Sequence, residues 1–505
     1  MSEFHDLPCD ERRRILRDYI KKPSPEVAAS LLAPLRTANK RGLYASKLSE
    51  HTLFGGAHFG RDSIETAEDT LEVDPEIARQ TILMHVQFQG VTDDPDYSES
   101  RIGKSFHEHR ERRDPEGALY PDAVQAIITE LRDVKGWAAP NTSNENLTYY
   151  GSVDATPLFV RLVKKYVGRH GEGILDEEVT GLDGKSKTVA EAVCAAADFM
   201  VDEYKRAQSG HTNPIGLYVW QRTNKGGLVS QAWKDSPYAY LALRPETKDG
   251  FEIANYEGGV ASAEVQGYVY DALKSAALLL QDRDATRDQV ASWRATAREL
   301  RTHTVQKLLH GDDTSFIAQG MDYDAYGHPR LLATQTTNAL TLFDSDLIPD
   351  ALQDTYIQRP LKIQLATTVG NMVLTAMGPH FKVDAGLRER ALQHTLVDFV
   401  DYHGSRVSWA KSTLDVANGF WRQRYKQQAI ELYELIVNRA VVTAGNFYEF
   451  DRISNDADKA EADTYVRQEA AFDFQHGEAH LPELYQAWTV TAFLKAVSRL
   501  RAVAK

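Results

Sequence analysis

The chain has 505 residues, of which 42% are hydrophobic and 26% charged, as is usual for a globular protein. Its formal net charge is −14, and it lacks the clustered Lys and Arg that a phosphate backbone requires, so nucleic acid is not expected as a partner. Two cysteines, Cys9 and Cys194, exclude a disulfide-rich scaffold and a cysteine-based zinc site.

The N-terminal residues contain no apolar run of the kind found in a signal peptide. The chain also lacks a run of about 18 apolar residues, the length that spans a bilayer. We therefore expect a cytoplasmic protein without a membrane partner. The sequence leaves the oligomeric state open.

Apolar residues recur at helical spacing along most of the chain. The predicted helices cover Pro25–Thr37, Pro75–Gln89, Ala123–Val134, Thr156–Val167, Val189–Ala207, Ala263–Gln281, Arg287–Leu309, Leu331–Phe343, Asp350–Met372, Leu387–His403, Gln423–Ala444 and Pro482–Val503. Ser63 and Asp74 are predicted helix N-caps, and Pro75 suits a first helical turn.

Long polar segments connect these helices, and short β-like pieces within them are expected to form small hairpins. The longest connections are Thr92–Pro115, Gly136–Gly151, Thr212–Lys234 and Asp451–Glu478. Loops of this length are uncommon in compact domains unless they carry function.

The helical pattern predicts an all-α fold in a single catalytic domain, residues 1–505, with residues 1–50 as an N-terminal helical extension. A closed ring of helical hairpins, an (α/α)₆ toroid, gathers alternate loops at one end and suits the pattern best. An α-solenoid is the rival architecture, but the chain has no fixed repeat period.

The most informative polar segment surrounds Asp235, which follows Trp233 and precedes Ser236 and Pro237. A neighbouring aromatic ring can desolvate a carboxyl group and favour its protonated form, as a general acid requires. The simpler interpretation is that Asp235 or Ser236 caps a helix that begins at Pro237.

Three more carboxylates lie near predicted helix starts or ends. Arg61 and Asp62 have the donors and acceptors to bind sugar hydroxyls, or else form an ordinary surface pair. Asp154 follows two tyrosines at a loop-to-helix junction and is otherwise an N-cap. Glu449 lies between Tyr448 and Phe450 just after a helix, a setting found both in sugar sites and in cores.

Glu264 and Gln266 lie inside an otherwise apolar helix. Buried carboxylates and amides need partners, so these two residues indicate either a polar site or an internal salt bridge.

Taken in order, several segments resemble the amylo-α-1,6-glucosidase (glycogen-debranching glucosidase) family, whose wider relatives are trehalases, processing α-glucosidases and glucoamylases. The segments are Arg61–Ser63, Gly151–Pro157, Trp233–Ser236 and Ala263–Tyr268, and the resemblance extends to His107-Glu108 with Arg110, Met321–Asn338 and Trp409–Arg422. It covers most of Phe54–Phe493 and implies a six-hairpin toroid.

The resemblance also implies roles for individual residues. Asp235 matches the general acid of the family's Trp-x-Asp-Ser motif. Arg61, Asp62 and Asp154 match residues that hold the non-reducing glucose, with Trp233 as a stacking wall. Further substrate-binding candidates are Glu108, Tyr150, Lys234, Glu264, Gln266 and Trp488.

The general base has two main candidates. Glu449, in a segment followed by Gln486-Ala487-Trp488, is similar to the base of trehalases and processing α-glucosidases, and we predict that it is the base. The rival is Glu483, whose Pro-Glu-Leu setting resembles bacterial debranching-type homologues. Glu483 is otherwise a first-turn acid favoured by the helix dipole, and Glu478 is a more distant candidate.

The chain departs from the family pattern at Trp409–Ser412, which lacks the usual Pro-His, and it has neither a β-sandwich domain before Phe54 nor a transferase half. A short oligosaccharide or glucoside is therefore a more suitable substrate than glycogen. We expect exo-acting, inverting hydrolysis of a terminal α-glucosyl bond, without cofactor or metal.

Two other functions stay open. One is a sugar epimerase on the same architecture, which would use histidines such as His107, His403 and His476 to move protons. The other is a non-catalytic helical protein that binds carbohydrate or another partner.

Overall fold

The computed structural model describes residues 4–37, 39–48, 54–138, 145–210, 214–244, 250–283, 285–310, 316–349, 359–394, 402–453, 471–473, 478–480 and 484–504. Its α-helices are α1 Cys9–Lys21, α2 Pro25–Leu32, α3 Gly60–Thr70, α4 Pro75–Gln87, α5 Asp122–Thr129, α6 Ala155–His170, α7 Val189–Ser209, α8 Ala263–Leu280, α9 Arg287–Leu308, α10 Thr337–Thr341, α11 Arg359–Ala376, α12 Ala410–Arg422, α13 Lys426–Val442 and α14 Ala487–Val503.

The strands are short, and every pairing between them is antiparallel. They are β1 Ala57–Phe59, β2 Glu108–Arg110, β3 Leu147–Tyr149, β4 Glu178–Thr180, β5 Ser186–Thr188, β6 Leu241–Leu243, β7 Phe251–Ile253, β8 Val260–Ser262, β9 Leu309–His310, β10 Phe316–Ile317, β11 Gly320–Tyr323, β12 Pro329–Leu332, β13 Lys382–Val383, β14 Gly386–Leu387, β15 Val407–Ser408, β16 Asp451–Arg452, β17 Ala471–Asp473 and β18 Glu478–His480.

Several helices contact one another in a closed cycle. In the described part of the chain, α3, α6, α8, α10, α12 and α14 follow in this order, and α14 contacts α3 again. The helices that lie between them in sequence pack against members of the cycle: α4 on α3 and α6, α7 on α6 and α8, α9 on α8, and α13 on α12 and α14. The predicted helical architecture is thus present, with alternate helices forming a cycle.

The largest hydrophobic cluster draws residues from every helix of this cycle. In α8, each residue from Ala263 to Tyr270 is buried. The predicted N-terminal extension contains α1, which packs on α13, and α2, which packs on α14. Among the described residues, no helix combines the length and apolar character needed to cross a membrane.

Small sheets lie where the helices of the cycle begin. The sheet β1-β2-β3 joins the strand before α3 to the one that ends shortly before α6, and the sheet β12-β11-β8 joins the segments before α8 and α10. At the start of α3, Gly60 donates its amide to the carbonyl of His107 at 2.6 Å. A Cβ on Gly60 would lie 2.0 Å from the carbonyl oxygen of Phe106, so a side chain does not fit there.

Helix capping follows the sequence at some positions and not at others. Asp74 caps α4 by accepting from the amide of Glu76, and Pro75 lies in the first turn, as predicted. The prediction that Ser63 is an N-cap is wrong, because α3 begins at Gly60 and the Ser63 hydroxyl donates to the Gly60 carbonyl.

Two other local predictions are wrong, and so is the simpler interpretation of the Asp235 segment. Leu331–Phe343 begins in β12 and continues to the short helix α10, since Gly320–Leu332 pairs as a hairpin. The described part of Leu387–His403 contains β14 and a short 3₁₀ turn instead of a long helix, because its residues pair with neighbouring loops. No helix begins at Pro237, so Asp235 and Ser236 are not caps.

Candidate active site

The starts of three helices of the cycle, α3, α6 and α14, lie close together. Arg61 and Asp62 lie in the first turn of α3, Asp154 directly precedes α6, and Trp488 lies in the first turn of α14. The Arg61 guanidinium carbon lies 6.0 Å from the centre of the Trp488 ring. The partial positive charge at helix N-termini favours anionic groups at such a place.

Arg61 is the centre of a group of carboxylates. Its nitrogens lie 3.1 Å from Asp154 Oδ2, 3.6 Å from Asp62 Oδ2 and 3.9 Å from Asp235 Oδ2. We call Arg61, Asp62, Asp154, Asp235 and Glu449 the site cluster. The Arg61 side chain is 6% exposed and that of Asp235 is 31% exposed, so Asp235 is the accessible carboxyl group around this arginine.

The orientation of the Asp154 carboxylate is set by neighbouring side chains of the protein. It is fully buried, accepts a hydrogen bond from the Ser152 hydroxyl at 2.6 Å and binds Arg61. Its side chain makes no cap bond to α6, although it occupies the N-cap position. Asp154 therefore orients Arg61 and does not serve the helix end.

Asp62 has an unusual proton affinity. Burial raises its pKa from 3.8 to about 7, against the lowering influence of Arg61 and with help from the negative charges of Asp235, Asp154 and Glu449. Its Oδ2 atom is buried and has no hydrogen-bond partner among the residues that the structure describes. Because the negative charge of Glu449 contributes to the raised pKa of Asp62, we include Glu449 in the same group of charges.

Glu449 is held by a tyrosine that the sequence did not reveal. It is 1% exposed, and its Oε1 atom accepts a hydrogen bond from the Tyr402 hydroxyl. Pairing of β15 with β16, with Ser408 opposite Asp451, brings the Glu449 segment to the start of α12. Burial, and then the charges of Glu449 and Asp235, raise the pKa of Tyr402. Tyr402 was missed because its segment reads as helix.

Aromatic rings enclose the segment that carries Asp235. The Trp233 ring lies edge-to-face with three others, its centre 5.1 Å from His403, 5.2 Å from Trp409 and 5.6 Å from Trp488. His403 Nδ1 lies 3.2 Å from the hydroxyl of Ser236. Burial, together with nearby positive charges, lowers the pKa of His403, so this imidazole stays neutral.

Three predicted substrate-binding residues direct their polar groups elsewhere. Tyr150 donates to the carbonyl of Phe88 at 2.7 Å, and the Gln266 amide bonds the backbone of Tyr218 and Ser262. Lys234 is fully buried, with Nζ 2.9 Å from a carboxylate oxygen of Glu389. Their donors and acceptors are satisfied within the protein, so these side chains hold loops in place, and their part in substrate binding stays a prediction.

Two predicted substrate-binding residues, Glu108 and Glu264, are both buried but have different partners. Glu264 is fully buried, and its Oε1 atom accepts hydrogen bonds from Tyr240 at 2.8 Å and Asn338 at 3.1 Å. Within the described part of the chain, its Oε2 atom has no hydrogen-bond partner. Glu108 is buried in β2 and bonds Arg110 of the same strand. The rival base Glu483 lies outside the described residues, and the side chain of Glu478 is likewise not described.

A second charged group lies further along α3. Lys411 Nζ lies 2.6 Å from Asp415 and 3.4 Å from Asp69, and the charge of Glu65 also acts on it. We call Glu65, Asp69, Lys411 and Asp415 the interior cluster. Burial raises the pKa of Glu65 to about 7 against the opposing charges of Lys411 and Arg61.

Comparison with known proteins connects this fold to glycosidases. No protein-family model matches the chain, and no curated protein matches it by sequence. A glycosidase variant in complex with glucose has a TM-score of 0.50 and 12% identity, over 98% of this chain and 99% of that chain.

Two further structures are similar. The wild-type glycosidase has a TM-score of 0.49 and 12% identity, over 98% of this chain and 99% of that chain. A GH63 mannosylglycerate hydrolase from Thermus thermophilus in complex with glucose has a TM-score of 0.48 and 13% identity, over 93% of this chain and 98% of that chain. At these identities the likeness concerns the fold.

Proposed function

We propose that this protein is an inverting glycoside hydrolase that removes a terminal α-glucosyl residue from a short oligosaccharide or glucoside. In this proposal the cycle of α3, α6, α8, α10, α12 and α14 is the inner ring of an (α/α)₆ toroid. The observation that carries the proposal is the site cluster. In it an accessible carboxyl group, Asp235, lies 3.9 Å from a buried arginine, and a second, buried carboxyl group, Glu449, is bonded to Tyr402 and acts on the charge of Asp62.

Inversion needs one carboxyl group as acid and another as base, about 6.5–9.5 Å apart, with a water molecule between the base and the sugar. Asp235 transfers its proton to the glycosidic oxygen as the bond from C1 to that oxygen breaks. Glu449 takes a proton from water while the water oxygen bonds to C1 from the opposite face, so the first product is β-glucose. Solvent then restores both protonation states.

The surrounding residues support this assignment. The hydrogen bond from Tyr402 fixes the orientation of Glu449. Arg61 and Asp62 offer a donor and an acceptor to sugar hydroxyls, and Asp154 keeps the guanidinium in place. Groups held rigid before the substrate arrives reorganise little during the reaction, which lowers the barrier.

The aromatic rings and the glucose complex of the similar glycosidase also favour a sugar ligand. Trp233, Trp409 and Trp488 form a cluster with Val407 and Phe450 beside Asp235. Apolar ring faces suit the C–H faces of a pyranose, while the carboxylates suit its hydroxyls. A glycosidase of similar fold binds glucose.

Proton NMR of initial products tests the proposal. The purified protein is incubated with isomaltose, panose, maltose, nigerose, kojibiose, trehalose and sucrose, beside Asp235→Asn. We expect β-glucose to appear first from at least one substrate, and we expect the variant to lose this activity. First-formed α-glucose would exclude inversion and both assigned roles.

A matched control is Asp183→Asn. The Asp183 side chain is 34% exposed, close to the 31% of Asp235, but it lies in the β4–β5 hairpin. This variant should keep wild-type activity. Absence of hydrolysis of every substrate by the folded wild-type protein would contradict the glucosidase proposal.

A further inference from the structure

A short extended segment beside the candidate site is charged and almost completely buried. Arg388, Glu389 and Arg390 are 1%, 0% and 1% exposed. The amide of Glu389 donates to the carbonyl of Val407 at 3.1 Å, and that of Arg388 donates to Phe381 at 2.9 Å. Burying charges is costly, and an apolar replacement of such groups is often as stable, so stability alone does not account for them.

Glu389 binds the residue that precedes the proposed acid. Lys234 Nζ lies 2.9 Å from its carboxylate and donates to its carbonyl at 2.7 Å. The same carboxylate accepts hydrogen bonds from the hydroxyls of Thr337, the first residue of α10, and Ser412, in the first turn of α12. Asp235 is therefore one residue away from a side chain that is anchored to two helices of the cycle.

The flanking arginines bind the backbone of two loops. Arg390 Nη2 donates to the carbonyl of Tyr238 at 2.6 Å, three residues after Asp235. Arg388 Nη1 donates to the carbonyl of Ser405 at 2.7 Å, three residues after Tyr402. The segment thus contacts the Asp235 loop before and after the carboxyl group, and also the loop whose tyrosine holds Glu449.

We propose that Arg388–Arg390 is a positioning element that sets the Asp235 loop against the Tyr402–Glu449 pair. This inference rests on the proposed function for its effect on turnover, but the mechanical claim concerns the loops alone. None of the three residues is assigned a contact with substrate. Since a displacement of about 1 Å can cost 10²-fold in rate, loss of the anchor should act on turnover more than on glucose binding.

The test uses Glu389→Gln and the double variant Lys234→Met with Glu389→Gln. The single variant leaves a buried ammonium without its counter-charge and is at risk of misfolding. The double variant removes both charges and is the one that decides. We expect its kcat to fall about 10- to 100-fold, while the affinity for glucose, followed by tryptophan fluorescence, changes less than about threefold.

Hydrogen–deuterium exchange without substrate gives a readout that does not need activity. Amides of residues 231–238 should exchange faster in the double variant than in the wild type. The matched control is Arg330→Met with Asp322→Asn, which removes another buried pair, 2.5 Å apart, between β11 and β12. The control should lose stability but keep wild-type turnover, pH profile and exchange in residues 231–238.

Each outcome has one meaning. Unchanged exchange in residues 231–238 of the double variant overturns the positioning role, and so does turnover reduced no more than in the control. If the wild type hydrolyses no α-glucoside, the proposed function fails, whereas the exchange data still decide whether Arg388–Arg390 holds the loop.

Discussion

The site cluster and the interior cluster use the same helix face in opposite ways. Asp62, Glu65 and Asp69 lie three and four residues apart on α3, so they share one side of the helix. Asp62 lies beside Arg61, which is also 3.9 Å from the accessible Asp235. Glu65 and Asp69 lie near Lys411.

The comparison shows which carboxyl groups on or near α3 a substrate can reach. In the interior cluster Lys411 binds two carboxylates directly, and its contact with Asp69 connects α12 to α3. The cation is shared in both clusters. In the site cluster, however, 31% of the Asp235 side chain is exposed, whereas the side chains of Asp69 and Asp415 are 4% and 22% exposed. The following experiments test this contrast, beginning with the largest expected effect.

Removing Glu449 should abolish turnover and not folding. Glu449→Ala should lose activity by on the order of 10³-fold, within the range attributed to general base catalysis. Azide, which needs no deprotonation, should restore part of the rate and give β-glucosyl azide, detected by NMR. Glu449→Gln fills the space and should not respond to azide. An α-azide product would contradict an inverting base at this position.

Removing Lys411 should lower the stability of the fold and leave turnover nearly unchanged. Lys411→Met leaves Asp69 and Asp415 without their cation, and breaking such a buried pair costs about 3–5 kcal/mol of unfolding free energy. Urea denaturation should show this loss at pH 8 and a smaller one at pH 5, where the carboxylates take up protons. Turnover by the folded variant should stay near wild type, and a fall as large as in Glu449→Ala would erase the contrast between the clusters.

Asp62 should make the protein less stable as pH rises. Burial raises its pKa from 3.8 to about 7, so between these values the folded state binds a proton that the unfolded state releases. Unfolding free energy therefore falls with rising pH in this window, by at most about 1.4 kcal/mol per unit for one group. Asp62→Asn should remove this slope in urea denaturation series. Asp183→Asn should not, because hydrogen bonding by the Lys185 backbone lowers the Asp183 pKa.

The smallest effect is expected just past the end of α3. Burial acts to raise the pKa of Glu72, but Ser498, Lys495 and Arg169 outweigh it and hold the pKa at about 2. Its side chain is 32% exposed, so Glu72→Gln should cost less than about 1 kcal/mol. This stabilisation is present above the ordinary pKa of 4.5 and is lost as pH falls toward 2. Thermal denaturation at pH 7 and pH 3 checks both points.

Much of the helical framework was predictable from the sequence. The apolar periodicity at Ala263–Gln281 and Arg287–Leu309 predicts α8 and α9 almost to the residue. It fails at Leu387–His403, where Arg388, Glu389 and Arg390 are buried by neighbouring loops. Helical spacing cannot distinguish a helix from an extended segment whose partners are distant in the chain.

The sequence determined which residue types and settings were candidates: Arg61 and Asp62 at the start of a helix, Asp235 behind a tryptophan, and Glu449 between aromatics. Only the tertiary structure decided that Asp154 and Asp235 both lie beside Arg61, that Tyr402 donates a hydrogen bond to Glu449, and that Lys234 forms an ion pair with Glu389. The longest of these contacts in sequence joins Arg61 and Asp235, which are 174 positions apart. Local patterns report propensity and burial, whereas such pairings depend on how the helices close on one another.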